Sequence, residues 1–159
     1  MGEWIPVVYR GDGAWIGIMP SGGLGVGIET EGRVTLEASN FTPMWPFLER
    51  KFSECLAEFS RTWETLKKGG VPTPEKLMEL TVGSAWGSGR PYWMRLAVPW
   101  VVDMADHSGF DSQFMQEILG EMTHSEVVAP ELRDRLRDAS SKSAHHADGG
   151  LNRRSTEGD

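Results

Sequence analysis

The chain has 159 residues, of which 39% are hydrophobic and 25% are charged. These values are typical of one soluble globular domain and exclude a low-complexity or membrane-embedded chain. Acidic residues outnumber basic ones by 23 to 16, so the formal net charge is −7. Since nucleic-acid binding needs a cationic surface, this balance argues against a nucleic-acid partner.

The amino-terminal sequence MGEWIPVVYRGDG lacks the basic start and apolar run of a secretion signal. No apolar stretch approaches the length of a bilayer span. The single cysteine, Cys55, cannot form a disulfide within the chain, which favours a reducing compartment. We therefore expect a cytoplasmic protein that does not bind membranes.

Residues 4–38 predict an antiparallel β-meander of three or four strands. The short apolar runs WIPVVY, AWIGIM, LGVGIE and RVTLEA alternate with the turn sequences GDGA, PSGG and TEG. Connections of this length cannot hold a crossover helix, so neighbouring strands should be antiparallel.

The Gly25-x-Gly27 pair within this meander does not match a phosphate-binding loop. A dinucleotide fingerprint needs a third glycine and a following helix, and a phosphate loop needs a Gly-Lys-Ser/Thr ending. Gly25 and Gly27 instead leave one strand face bare, which lets another group approach closely. We expect an aromatic side chain of the first helix, Trp45 or Phe52, to cover this face; the rival interpretation is a bound ligand.

A change of hydrophobic period at Thr42 predicts one long amphipathic helix packed across the sheet. Thr42 would cap this helix, Pro43 suits its first turn, and Gly69 and Gly70 would end it. Its apolar positions are three or four residues apart: Trp45, Leu48, Phe52, Cys55, Phe59, Trp63 and Leu66.

Two further helices are predicted in the middle of the chain. Thr73 and Pro74 should begin a short helix, and the glycine-rich stretch Gly83–Pro91 should be a loop. The next helix should run from about Pro91 to His107, with a kink or a split at Pro99.

The carboxyl-terminal part predicts two more helices and a tail. Asp111 should cap one helix and Pro130 should open the last. Residues 140–159 contain one large apolar side chain and should be disordered. The overall prediction is an α+β fold, with one domain over residues 1–139.

No set of residues suggests catalysis or metal binding. Cys55 lies on an apolar stripe, so it should be an inert core thiol. Asp103 and His107 are four residues apart on one helix, but two candidate ligands do not make a metal site. We predict no catalytic residue, no metal and no cofactor.

One charge pattern suggests a binding surface. No lysine or arginine lies between Arg95 and Arg133, although the same span contains seven carboxylates. An acidic helical surface would speed association with a basic protein partner, whereas the alternative is an ordinary solvated face. The predicted partner-binding residues are Asp103, Asp106, Asp111, Glu117 and Glu121.

The favoured function is therefore a non-enzymatic protein-binding module. In size, acidity and lack of a catalytic motif the chain resembles bacterial immunity proteins, which would imply neutralisation of a toxin by steric occlusion. One alternative is a small-ligand domain whose aromatic pocket is formed by Trp86, Arg90 and Trp93. A further alternative is an enzyme of a type that the sequence does not reveal.

Overall fold

A computed structural model of the chain describes residues 2–142. An antiparallel sheet with strand order β1-β2-β3-β4 comes first, and helices follow it. This arrangement confirms the predicted meander and the α+β class. The strands are β1 (Ile5–Tyr9), β2 (Trp15–Ile18), β3 (Leu24–Ile28) and β4 (Glu31–Thr35).

The sheet turns one apolar face to the core, because side chains alternate along each strand. On β2 and β3, Ile16 pairs with Val26 and Ile18 with Leu24. All four residues are buried, and they belong to the same core cluster as the helices. The alternation of apolar residues along the strands therefore determines which face of the sheet packs against the core.

The opposite face is lined by glycines, which let neighbouring backbone approach closely. Gly17 pairs with Gly25 across β2 and β3. A Cβ atom at Gly17 would overlap the carbonyl oxygen of Ile5, and one at Gly27 would overlap that of Glu31. Side chains at Gly17 and Gly27 are thus excluded by the strands themselves.

Met19 and Trp4 cover this glycine face. A Cβ atom at Gly25 would overlap the Met19 side chain, and one at Gly32 would lie 2.6 Å from the Trp4 ring. The indole Nε1 of Trp4 donates a 2.9 Å hydrogen bond to the carbonyl of Ile28. The prediction that Trp45 or Phe52 covers the glycines is therefore wrong, since Trp4 and Met19 fill the space.

The segment after the sheet is broken rather than one long helix. It comprises a 3₁₀ helix (Thr42–Glu49), α1 (Phe52–Arg61), α2 (Trp63–Leu66) and a 3₁₀ turn (Lys67–Gly69). Pro46 lies inside the first piece, where its missing N–H cannot support a regular α-helix. The predicted Thr42 cap is also absent, because no side chain caps this end.

The predicted apolar stripe is nevertheless buried along the whole broken segment. Steps of three and four residues place side chains on one side of a 3₁₀ helix as well as an α-helix. The segment ends at Gly70, which has φ of 98° and confirms the predicted stop.

The remaining helices are α3 (Pro74–Gly87), α4 (Pro91–Met104), α5 (Ser112–Thr123) and a helix over residues 130–142, which we call α6. Thr73 caps α3 as predicted, since its side chain accepts a hydrogen bond from the Lys76 N–H. The loop predicted over Gly83–Pro91 is wrong in its first part, because α3 continues to Gly87 and only residues 88–90 connect it to α4. Ala85 is fully buried, and Gly83 lies against the Phe114 ring.

Pro99 does not split α4, which is one helix over fourteen residues. The helix α6 passes the predicted domain end at residue 139, and Leu136 and Ala139 are buried. The rest of the predicted disordered tail, residues 143–159, lies outside the described residues. Within residues 2–142, none of the helices has both the length and the apolar character to cross a bilayer.

Arg50 joins three elements at the break before α1. Its guanidinium donates to the carbonyl of Tyr9 at 2.9 Å and pairs with Glu58 at 2.9 Å. Its own carbonyl accepts a 2.9 Å hydrogen bond from Nε1 of Trp100. One residue thus connects β1, α1 and α4, and its extended backbone requires that the helix be interrupted.

Candidate docking surface

The predicted partner-binding carboxylates lie on α4, α5 and the turn between them. Asp103 is in the last turn of α4, Asp106 follows that helix, and Asp111 is the residue before α5. Glu117 and Glu121 are one turn apart on α5. All five residues are exposed.

Local hydrogen bonds set the start and the orientation of α5. The Asp111 carboxylate accepts a 2.8 Å hydrogen bond from the Phe114 N–H, which confirms the predicted cap. Gln113 donates to the Glu117 carboxylate at 3.2 Å. Glu117 and Glu121 face away from the core because the opposite side of α5 is buried: Met115, Ile118, Leu119 and Met122.

Asp106 has a cationic partner that the sequence pattern did not indicate. Lys142, near the end of α6, places its Nζ 3.0 Å from Asp106 Oδ1. Both side chains are more than half exposed, so the pair is weak. The acidic surface therefore includes a cation, although no lysine or arginine lies between Arg95 and Arg133 in the sequence.

Asp103 and Asp111 line separate grooves, and each groove also contains a lysine. Asp103 lines a groove of about 430 Å³ together with Lys51. Asp111 lines a groove of about 540 Å³ together with Lys76. Neither lysine is within ion-pair distance of these two carboxylates in the described part of the chain. The acidic surface is thus interrupted at its two ends by cations from α3 and from the junction before α1.

Aromatic rings separate these two grooves. Phe52 lines the first, Phe110 lines the second, and their ring centroids are 5.9 Å apart. The His107 ring packs edge-on against Phe52 at 5.4 Å. Among residues 2–142, no three His, Cys, Asp or Glu side chains are grouped so that they could hold a metal ion.

A buried carboxylate at the edge of this surface was missed in the sequence. Glu79 on α3 is 6% exposed, and its Oε2 accepts a 3.1 Å hydrogen bond from the Asp111 N–H. Burial raises the pKa of Glu79, and the Asp111 hydrogen bond and the Lys76 charge offset part of this shift. The sequence signal for its burial was its position between two apolar residues, Met78 and Leu80.

Cys55 is the buried thiol that its position on the apolar stripe predicted. It is 0% exposed, and burial raises its pKa to about 12. The nearby Arg50 charge reduces this shift only partly. Because the thiolate is the reactive form, Cys55 is unsuited to act as a nucleophile at neutral pH.

Two of the three residues of the alternative ligand pocket meet on the ring of Trp45. The Arg90 guanidinium carbon lies 5.9 Å from the centroid of that ring, and Trp93 lies 5.8 Å from it. The Trp45 Nε1 donates to the Ser84 hydroxyl at 3.1 Å. Trp86 is half-buried against the core. Arg90 and Trp93 therefore both lie near Trp45, a ring that the predicted pocket did not include.

Comparisons with protein-family models, with curated proteins and with solved structures give no significant match to this chain. Arguments about function therefore start from its own residues and their geometry.

Proposed function

We propose that the protein is a non-enzymatic binding module that docks a basic protein partner on the exposed carboxylates of α4 and α5. Immunity to a toxin is one specific form of this function. The partner would be attracted by the acidic surface and then occluded by direct contact. This mechanism needs exposed charges on a rigid support, since buried charges neither attract a partner from a distance nor reach it.

The observation that supports the proposal is the exposure of all five carboxylates on α4, α5 and the turn between these helices. Within residues 2–142, Lys142 is the one cation in ion-pair distance of any of them. The net charge of −7 adds a long-range field of the same sign. The capped start of α5 fixes the direction in which Glu117 and Glu121 point.

The test is a capture experiment followed by association kinetics. The full chain is immobilised, bound proteins are identified, and association with the captured partner is measured at several salt concentrations. A quadruple variant, Asp103→Asn, Asp106→Asn, Glu117→Gln and Glu121→Gln, should lower the association rate by about tenfold or more at low salt. The association rate of this variant should also depend less on salt concentration.

A matched control removes the same number of charges from exposed sites elsewhere: Glu29→Gln, Glu37→Gln, Glu54→Gln and Glu64→Gln. A specific docking surface predicts a much smaller effect for this variant. Equal slowing in both variants would mean that only net charge matters, and unchanged binding in the first variant would contradict the proposal.

The small-ligand alternative with Trp86, Arg90 and Trp93 stays a prediction. Its test is a shift of tryptophan fluorescence on addition of metabolites, combined with failure to capture a protein partner.

A further inference from the structure

Two arginines line one cavity on the side of α4 that faces the α5–α6 connection. The cavity encloses about 460 Å³, a size typical of small-molecule sites. Arg95 comes from α4 and Arg133 from the first turns of α6. These residues flank the cation-free stretch in the sequence, and the fold brings them to one cavity.

The positive charges in this cavity lack compensation. Arg133 donates from Nη2 to the Ser125 carbonyl at 3.2 Å, but its Nε is buried without a hydrogen-bond partner. Glu126 lines the same cavity. In the described part of the chain, neither arginine is within ion-pair distance of a carboxylate. Because two guanidinium groups line the cavity without an ion-pair partner, an anion in the cavity would be stabilising.

The walls of the cavity are apolar. Among its lining residues, Val127 and Leu132 are half-buried, and Ala129 and Pro130 are exposed, so their side chains offer apolar surface. A hydrated inorganic ion would gain little from such walls, whereas a hydrocarbon group would bury area against them. Glu126 at the same cavity would repel a dianion more strongly than a monoanion.

We propose that this cavity binds a small organic monocarboxylate with an apolar body. The carboxylate pairs with the guanidinium groups of Arg133 and Arg95, whose planar forks match its geometry. The hydrocarbon part lies against Val127, Pro130 and Leu132. This site is distinct from the acidic docking surface, because none of the five carboxylates of that surface lines the cavity.

The test uses sodium hexanoate as the probe, with hexan-1-ol and inorganic phosphate as matched comparisons. Binding to the ¹⁵N-labelled full chain is followed by NMR through the backbone amides of residues 126–129 and the arginine Nε–H signals. We expect saturable shifts with hexanoate at a Kd in the millimolar range or tighter. Hexan-1-ol should bind about tenfold more weakly, since it lacks the charge.

Variants then assign the charge contacts. Arg133→Gln should weaken hexanoate binding by about tenfold or more, and Arg95→Glu should abolish it. Arg135→Gln is the control, because Arg135 is exposed on the same helix and does not line the cavity. Arg95 is exposed, so its variant keeps the proposal testable if Arg133→Gln does not fold.

Three results would overturn the proposal. The first is the absence of saturable shifts with hexanoate up to about 50 mM, well above the expected Kd. The second is equal affinity for hexanoate and hexan-1-ol, which would mean a purely apolar cavity. The third is binding of phosphate as tight as that of hexanoate, which would mean a general anion site.

Discussion

The glycine face of the sheet and the junction at Arg50 depart from regular structure in opposite ways. At Gly17 and Gly27 the chain omits side chains, and neighbouring backbone occupies the space. At Arg50 it uses its longest polar side chain to reach across a gap between β1 and α1. The first region depends on steric exclusion, and the second depends on hydrogen bonds between partly buried groups.

The two regions should therefore respond differently to substitution. Backbone that occupies the place of a side chain cannot move away without breaking strand pairing, so even one methyl group should be costly. A polar junction instead fails when one partner is left without the other, and it should tolerate removal of both. The predictions below separate these two mechanisms.

The largest effect is expected for Gly17→Ala. Its Cβ atom would overlap the Ile5 carbonyl oxygen, so β1 must shift, and the free energy of unfolding should fall by about 3 kcal/mol or more. Gly23→Ala is the control, because nothing lies within 4 Å of its Cβ position, and it should change stability by less than about 1 kcal/mol. Urea unfolding measures both, and equal losses would contradict steric exclusion at Gly17.

Arg50→Met should lower the free energy of unfolding by about 2 kcal/mol, because it leaves Glu58 without its counter-ion. The Oε2 atom of Glu58 is already buried without a partner. The double variant Arg50→Met/Glu58→Leu should recover much of the loss, since both charges are then gone. If the loss of stability in the double variant equals the sum of the losses in the two single variants, the Arg50–Glu58 ion pair does not cause the destabilisation.

Glu79 differs from Glu58 because it is a buried carboxylate without a guanidinium partner. Its pKa is raised above the ordinary value of 4.5, so the folded state holds its proton more tightly than the unfolded state does. Stability contributed by the protonated form is therefore lost as the pH rises from about 4.5 through the raised pKa. Glu79→Gln should raise the melting temperature by a few degrees at pH 7 and by less at pH 4.

Glu117→Gln is the control for this prediction, since Glu117 is exposed on α5 and should show no such difference between the two pH values. Thermal unfolding followed by circular dichroism measures both variants. A lower melting temperature of Glu79→Gln at pH 7 would mean that the charge stabilises its hydrogen bond to Asp111.

The smallest effect is expected for Asp106→Asn. The pair with Lys142 is exposed on both sides, so its loss should cost no more than about 0.5 kcal/mol. Added salt should reduce even this difference. A larger loss in urea unfolding would show that the pair holds the end of α6 in place.

Local signals predicted the boundaries of several elements. Gly and Pro at close spacing separated the four strands, and Thr73 and Asp111 capped helices as expected. The apolar stripe after Thr42 identified the buried residues correctly, although the segment is not one helix. These successes share a cause, because caps, turns and alternation act between residues a few positions apart.

Contacts between distant residues account for the errors. The stretch from Gly83 looked like a loop because glycine disfavours helices, but burial of Ala85 keeps α3 continuous. The acidic stretch of α4 and α5 looked free of cations because Lys142 is 36 residues away from Asp106. In the same way, no sequence pattern places Arg95 and Arg133 on one cavity.

Strand order, the helix caps at Thr73 and Asp111, and the apolar faces follow from short connections, local backbone preference and side-chain period, so they could be derived from the sequence. The cover of the glycine face by Trp4 and Met19, the Arg50 junction and the burial of Glu79 could not. Each of these depends on how closely two distant segments approach. That distance is a property of the packed core as a whole, because all of its side chains must fill the space together.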